Sequence, residues 1–105
     1  MIEVFATAGG GKCRLWVEGH AAPDADRDAV CAGVSALVQS LVLYAADRIG
    51  TVHLRYHLAP GQAFFSGYGV TEGFALVLRG LSAIAERHPQ HLQIRSVLAV
   101  DDKGE

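Results

Sequence analysis

The sequence predicts an α+β fold: a two-layer sandwich whose mixed five-stranded sheet, in the order β-β-α-β-β-α-β, carries two helices packed on one face. Three observations carry that expectation. Apolar and polar residues alternate over five short stretches, two longer stretches repeat at helical spacing, and glycine or proline turns join the short stretches in pairs. Half of the 105 residues are apolar, enough for one core, so a single domain spanning 1–105 is expected.

The first element alternates from Met1 to Ala8, with Ile2, Val4 and Ala6 on one side and Glu3, Phe5 and Thr7 on the other. Gly9-Gly10-Gly11 supplies a turn. Cys13, Leu15 and Val17 then alternate with Arg14, Trp16 and Glu18, completing a hairpin. The glycine run followed by Lys12 is not a phosphate loop. That motif needs a glycine at Ala6, a hydroxyl residue at Cys13 and a strand-to-helix junction.

A helix is expected from about Ala29 to Arg48, with Asp28 as its N-cap. Val30, Val34, Leu37 and Leu41 form one apolar stripe; Cys31, Val38, Val42 and Ile49 form another beside it. A surface that wide needs a sheet and something more, either a second helix or a partner subunit. Gly33 costs roughly 1 kcal/mol in a helix relative to alanine, which points to a close neighbour at that position. The stretch from Ala29 to Ala46 has no charged residue and approaches the length of a membrane span, but Gly33, Ser35, Gln39 and Ser40 interrupt it, and a core helix is expected.

Thr51 to Leu58 alternates again, with Val52, Leu54, Tyr56 and Leu58 opposite His53, Arg55 and His57. On a strand the two histidines stand ~13 Å apart, too far to share a metal ion. Ala59-Pro60-Gly61 turns the chain into a fourth strand, Gln62 to Ser66. Thr71 is the expected cap of the second helix, along which Phe74, Val77, Leu78, Leu81, Ile84 and Ala85 recur until Pro89 stops it. Gly67 and Gly69 do not complete a dinucleotide fingerprint, because Glu72 occupies the third glycine's place. Leu92 to Val100 alternates as a fifth strand, and the polar tail Asp101 to Glu105 is expected to fray.

Net charge is −2 with no basic run, which argues against a nucleic-acid surface, and a mildly acidic protein suits a basic partner. Met1 to Val4 shows neither a basic nor an apolar leader region, so no secretory signal is expected. Two cysteines in a chain this apolar need no disulfide, which favours a reduced, cytoplasmic setting.

The stretch from Gly19 to Leu37 carries the chemistry. His20 follows the second strand, Cys31 lies in the first turns of the first helix, and a short acidic loop joins them. A thiol attacks carbonyl carbon as thiolate, and a helix N-terminus or a nearby imidazole favours that form. Counted from an Asp28 cap, Cys31 is the third helical residue; a cap at Asp26 or Asp24 places it deeper, where the dipole is weaker. Asp24, Asp26 and Asp28 oppose ionisation of the thiol unless capping or Arg27 offsets them.

Gly19-His20-Ala21, followed by Asp28-Ala29-Val30-Cys31-Ala32-Gly33-Val34-Ser35-Ala36-Leu37, resembles the signature of the ribosomal-processing cysteine proteases of the Prp family. The order of elements and the closing Glu86-Arg87-His88-Pro89-Gln90-His91-Leu92-Gln93-Ile94 are similar as well, so the resemblance spans nearly the whole chain. It implies a bacterial, cytoplasmic cysteine endopeptidase that removes the N-terminal extension of a large-subunit ribosomal protein (L27-type). It implies Cys31 as nucleophile and His20 as general base, with Asp28, Ser35 and Gly19 supporting them. It also implies a homodimer. No metal or organic cofactor, direct nucleic-acid contact or membrane is expected. The sequence departs from the family pattern between Ala21 and Arg27, where the loop expected to cover the active site is poorer in aromatic residues and glycine and about one residue shorter. The competing expectation is a non-catalytic module that binds a peptide or ribosomal protein, with Cys31 a small packing residue. Redox sensing would need Cys13 as resolving thiol, and Cys13 is expected on the apolar face of a strand.

Overall fold

The turn at Gly10–Gly11 closes the first hairpin, pairing β1 (Ile2–Gly9) with β2 (Lys12–Glu18) in antiparallel register, Gly9 opposite Lys12. The structure, a computed structural model, describes residues 1–100, the side chains of 96–100 excepted; the expected tail from Asp101 to Glu105 lies outside the described residues. After β2 come α1 (Arg27–Ile49), a 3₁₀ turn at Thr51–His53, β3 (Leu54–Ala59), β4 (Gln62–Tyr68), α2 (Thr71–Arg87) and β5 (Leu92–Val100).

The strands form one sheet in the order β3-β4-β2-β1-β5. Every neighbouring pair is antiparallel except β1 and β5, which run parallel with a register shift between Val4 and Phe5. The sheet is therefore mixed, as expected, and its order adds what the sequence left open.

Alternation sorts the two faces. Ile2, Val4, Ala6, Cys13, Leu15, Val17, Leu54, Phe65 and Leu92 are buried beneath the helices. The opposite face carries Phe5, Trp16 and Phe64 in one cross-strand row, half-buried by one another, with Trp16 and Phe64 rings 5.4 Å apart.

Both helices lie on the first face. Val30, Val34, Val38, Leu41, Val42 and Ala45 of α1 are buried, as are Phe74, Val77 and Leu81 of α2. Leu37 of the first apolar stripe meets α2, flanked by Gly33 and Tyr44. A Cβ added at Gly33 would stand 3.3 Å from Ile84 Cδ1, one at Gly80 would stand 2.9 Å from Leu37 Cδ2, and one at Gly73 would collide with the Tyr44 ring. The close neighbour of Gly33 is thus a side chain of α2. A second helix, one of the two covers expected for α1, thus packs on Leu37 of its first stripe.

By length and composition α1 could cross a bilayer. Its outward side is that of a core helix: Ala29, Ala32, Ser35, Ala36, Gln39 and Ser40 are small or polar, and Leu43 is the large apolar residue left exposed. The opposite side is committed to the sheet.

Candidate active site

The chain leaves β2 through Gly19, which adopts φ +101°, a conformation that side chains disfavour, and a Cβ there would collide with the Met1 carbonyl oxygen. Its N–H donates to the Gly61 carbonyl at 2.9 Å, and the next carbonyl, that of His20, accepts from the Met1 nitrogen at 2.6 Å. The backbone that presents His20 is pinned on two sides. Its imidazole lies against the β3–β4 turn, where a Cβ on Gly61 would stand 2.6 Å from Nε2.

Cys31 is presented by α1 and is half-buried. The helix starts at Arg27, two residues earlier than the expected Asp28 cap allows, and Asp26 occupies the N-cap position without a side-chain cap bond. The cause is Asp24. Its carboxylate accepts the Asp26 N–H at 2.9 Å and its carbonyl accepts the Arg27 N–H at 3.2 Å, so a turn built on Asp24 launches the helix. Asp28 becomes an exposed acidic residue of the first turn. Cys31 becomes the fifth helical residue, with its own amide inside the bonded ladder and the thiol beyond the strongest part of the dipole.

His20 and Cys31 line one cleft of about 510 Å³ between α1 and the β3–β4 hairpin. On α1, Cys31, Ser35 and Gln39 recur every fourth residue along one wall above Val34 and Val38. The facing wall runs from Leu58 to Ala63. Of the five residues singled out in the sequence, the structure brings Gly19, His20, Cys31 and Ser35 to the cleft and leaves Asp28 outside its lining.

Residues 21 to 27 do not line the cleft either, contrary to the expectation of a covering loop. They lean on the α2–β5 turn. The Ala22 N–H donates to His91 Nδ1 at 3.0 Å, His91 Nε2 stands 3.0 Å from Asp24 Oδ1, and His88 Nδ1 stands 3.9 Å from Asp26 Oδ2. No sequence pattern signals these pairings, because His91 and Ala22 are 69 residues apart. Gly61 and Gln39 belong to no catalytic motif, so sequence alone assigns them only a turn and a polar break in a helix.

Asp26, His88 and His91 could converge on a metal ion by distance, their ligand atoms lying within 4.8 Å of one another. The hydrogen bonding disfavours it. An Nδ1 that accepts the Ala22 N–H leaves the ring proton on Nε2, which then has no lone pair for a metal.

The two thiols differ in setting. Cys13 is buried in the sheet, and burial pushes its thiol above the ordinary value of 9.0, with the Thr71 side chain pulling the other way. Cys31 opens on the cleft.

Three comparisons place this architecture. A family model described as cysteine protease Prp matches residues 1–93. The fold is similar to that of SMU.848 from Streptococcus mutans, with a TM-score of 0.71 at 22% identity over 93% of this chain and 95% of that one. It is also similar to an essential ribosomal processing protease Prp from S. aureus, solved with a covalently linked product peptide (TM-score 0.73) and with a substrate peptide (TM-score 0.72). Both of those matches are 22% identical and cover 91% of this chain and 99% of the other. No curated protein matches.

Proposed function

The chain belongs to the cysteine protease Prp family, and from that premise we propose that it removes the N-terminal extension of a large-subunit ribosomal protein of the L27-type, using Cys31 as nucleophile and His20 as general base. The observation that carries this reading is the cleft that His20 and Cys31 share. The S. aureus relative, with its substrate peptide and its covalently linked product peptide, supports a peptide substrate and a covalent step.

The reaction follows from the residues in the cleft. His20 takes the Cys31 proton and the thiolate attacks the scissile carbonyl carbon. The carbonyl oxygen becomes an oxyanion. Helical side chains lean toward the N-terminus, which sets the Cys31 sulfur over the preceding turn, so the oxyanion donors in this mechanism are the first-turn N–H groups of Asp28 and Ala29, those of Asp26 and Arg27 already donating to Asp24. The protonated His20 then gives its proton to the leaving amine, and water, deprotonated by the same imidazole, releases the new C-terminus from the sulfur. Ser35, one turn beyond Cys31, and Gln39 offer polar groups to the peptide backbone, while Val34, Val38 and Leu58 supply the apolar lining. Gly19 sets the backbone bend that delivers His20, and Asp28 contributes a charge at the helix start that favours the macrodipole.

The same reading places the enzyme in a bacterial cytoplasm, acting as a homodimer.

Incubation of the ribosomal protein precursor from the same genome with the enzyme, followed by intact-mass spectrometry, tests the proposal. One cut that disappears in Cys31→Ser is the expected result. An uncut precursor, with wild-type protein folded and Cys31 titratable by a thiol reagent, would sink the substrate assignment. A cut that persists in Cys31→Ser would sink the mechanism.

A further inference from the structure

His91 is a fully buried polar side chain in the α2–β5 turn that the proposed reaction does not use. Its backbone is tied to the first strand, since the Ile2 N–H donates to the His91 carbonyl at 2.8 Å and the His91 N–H donates to the His88 carbonyl at 2.9 Å. The ring is held from the other side by the loop between His20 and Cys31 through the Ala22 N–H at Nδ1, while Nε2 stands 3.0 Å from Asp24 Oδ1 without a hydrogen bond.

The remaining bonds of that loop are local. The Asp24 N–H donates to the Ala22 carbonyl, and Asp24 in turn accepts from Asp26 and Arg27. Local bonds fix the shape of the turn; the buried Ala21 side chain and the Ala22–His91 bond set its position. Asp24 is the common member, since it both faces His91 Nε2 and launches the helix that presents Cys31. One imidazole thereby holds the segment that begins two residues after His20 and ends at the start of α1.

We propose that His91 is a positioning residue for the His20/Cys31 pair, acting through the Ala22 N–H as an imidazole that accepts at Nδ1 and carries its proton on Nε2. The inference rests on the catalytic reading above. Because His91 does not line the cleft, its loss acts on the placement of the reacting groups and leaves peptide binding intact. The groups facing its ring are Asp24, His88 and, beyond His88, Asp26; the His88 and His91 rings stand edge to face with centroids 5.9 Å apart.

Two substitutions separate position from packing. His91→Asn places its carbonyl oxygen where Nδ1 accepts from Ala22, whereas His91→Gln places its amide near the Nε2 position. Both remove ring volume. With iodoacetamide as the probe of Cys31 and the ribosomal precursor as substrate, His91→Gln is expected to lower both the alkylation rate at neutral pH and kcat about tenfold, the scale of one lost buried hydrogen bond, with KM unchanged. His91→Asn is expected to stay within about twofold of wild type on both measures.

Equal rates in the two variants, or the reverse order, would overturn the proposal. Nitrogen NMR of the intact wild-type protein gives a readout independent of turnover. An unprotonated Nδ1, a protonated Nε2 and a slowly exchanging Ala22 amide are expected; an Nδ1–H tautomer, or His88 and His91 signals that shift together on adding Zn²⁺, would overturn it. His20→Ala separates the two claims. If it leaves Cys31 alkylation and cleavage at wild-type rates, the catalytic reading fails, while the tautomer and the Ala22 amide still decide whether His91 holds the loop.

Discussion

At the scale of single residues, Gly61 shows how a turn can control a reactive group. It adopts φ +75° and leaves no room for a methyl group beneath His20 Nε2. Gly61→Ala should cost about 1–2 kcal/mol of stability from backbone strain. By displacing the imidazole it should also lower cleavage about a hundredfold, since small misplacements at a reacting centre have effects of that order. Urea unfolding and steady-state kinetics would separate the two effects; full activity in a folded variant would show that His20 does not depend on this contact. Cys13 offers a different test. Its thiol is raised by burial, so the unfolded chain ionises at lower pH than the folded one. The stability it contributes is whole below the ordinary value of 9.0 and declines as pH rises through the higher folded value. The urea midpoint of wild type should therefore fall more between neutral and alkaline pH than that of Cys13→Ala, and parallel profiles would contradict the assignment. The His20/Cys31 pair was legible because both sit in a contiguous motif; Gly61 and His91 were not, because their roles arise from contacts across the fold.

At the scale of elements, the two helices approach through glycines with opposite prospects. A methyl group at Gly33 meets the flexible end of Ile84 at 3.3 Å, so Gly33→Ala should stabilise the protein by up to about 1 kcal/mol through helix propensity. At Gly73 the methyl group would collide with the flat Tyr44 ring, and Gly73→Ala should destabilise by about 1–3 kcal/mol. Thermal unfolding of both variants tests the pairing of α1 with α2; shifts of one sign in both would contradict it. The periodicity of these helices was readable because their buried stripes repeat cleanly. The start of α1 was not. Asp24, Asp26 and Asp28 are equivalent as cap candidates in a sequence, and the choice fell to a turn held at Asp24, where a histidine from the far end of the chain also arrives. The strand expected from Thr51 begins instead at Leu54, because Thr51–His53 forms a 3₁₀ turn that lowers the chain from α1 onto the sheet edge.

At the scale of the molecule, one sheet face and two helices share a core in which Leu41, Phe65 and Leu81 have no exposed surface. Leu41→Ala should lower unfolding free energy by about 3 kcal/mol, a large share of the total for a protein of this size. Denaturant unfolding would measure it, and a change below about 1 kcal/mol would mean that Leu41 is not at the centre of the packing. The layer architecture followed from alternation and helical spacing, properties that a sequence displays directly. Strand order did not follow, since a crossover helix leaves open on which side its second strand docks.

The parallel pairing of β5 with β1 has a consequence in time as well as space. During vectorial synthesis β5 emerges after every other strand, yet it brings the His91 backbone to Ile2 and the His91 ring to Ala22. A nascent chain that already contains both His20 and Cys31 lacks that tie, so the loop between them gains it only once the α2–β5 turn has reached the first strand.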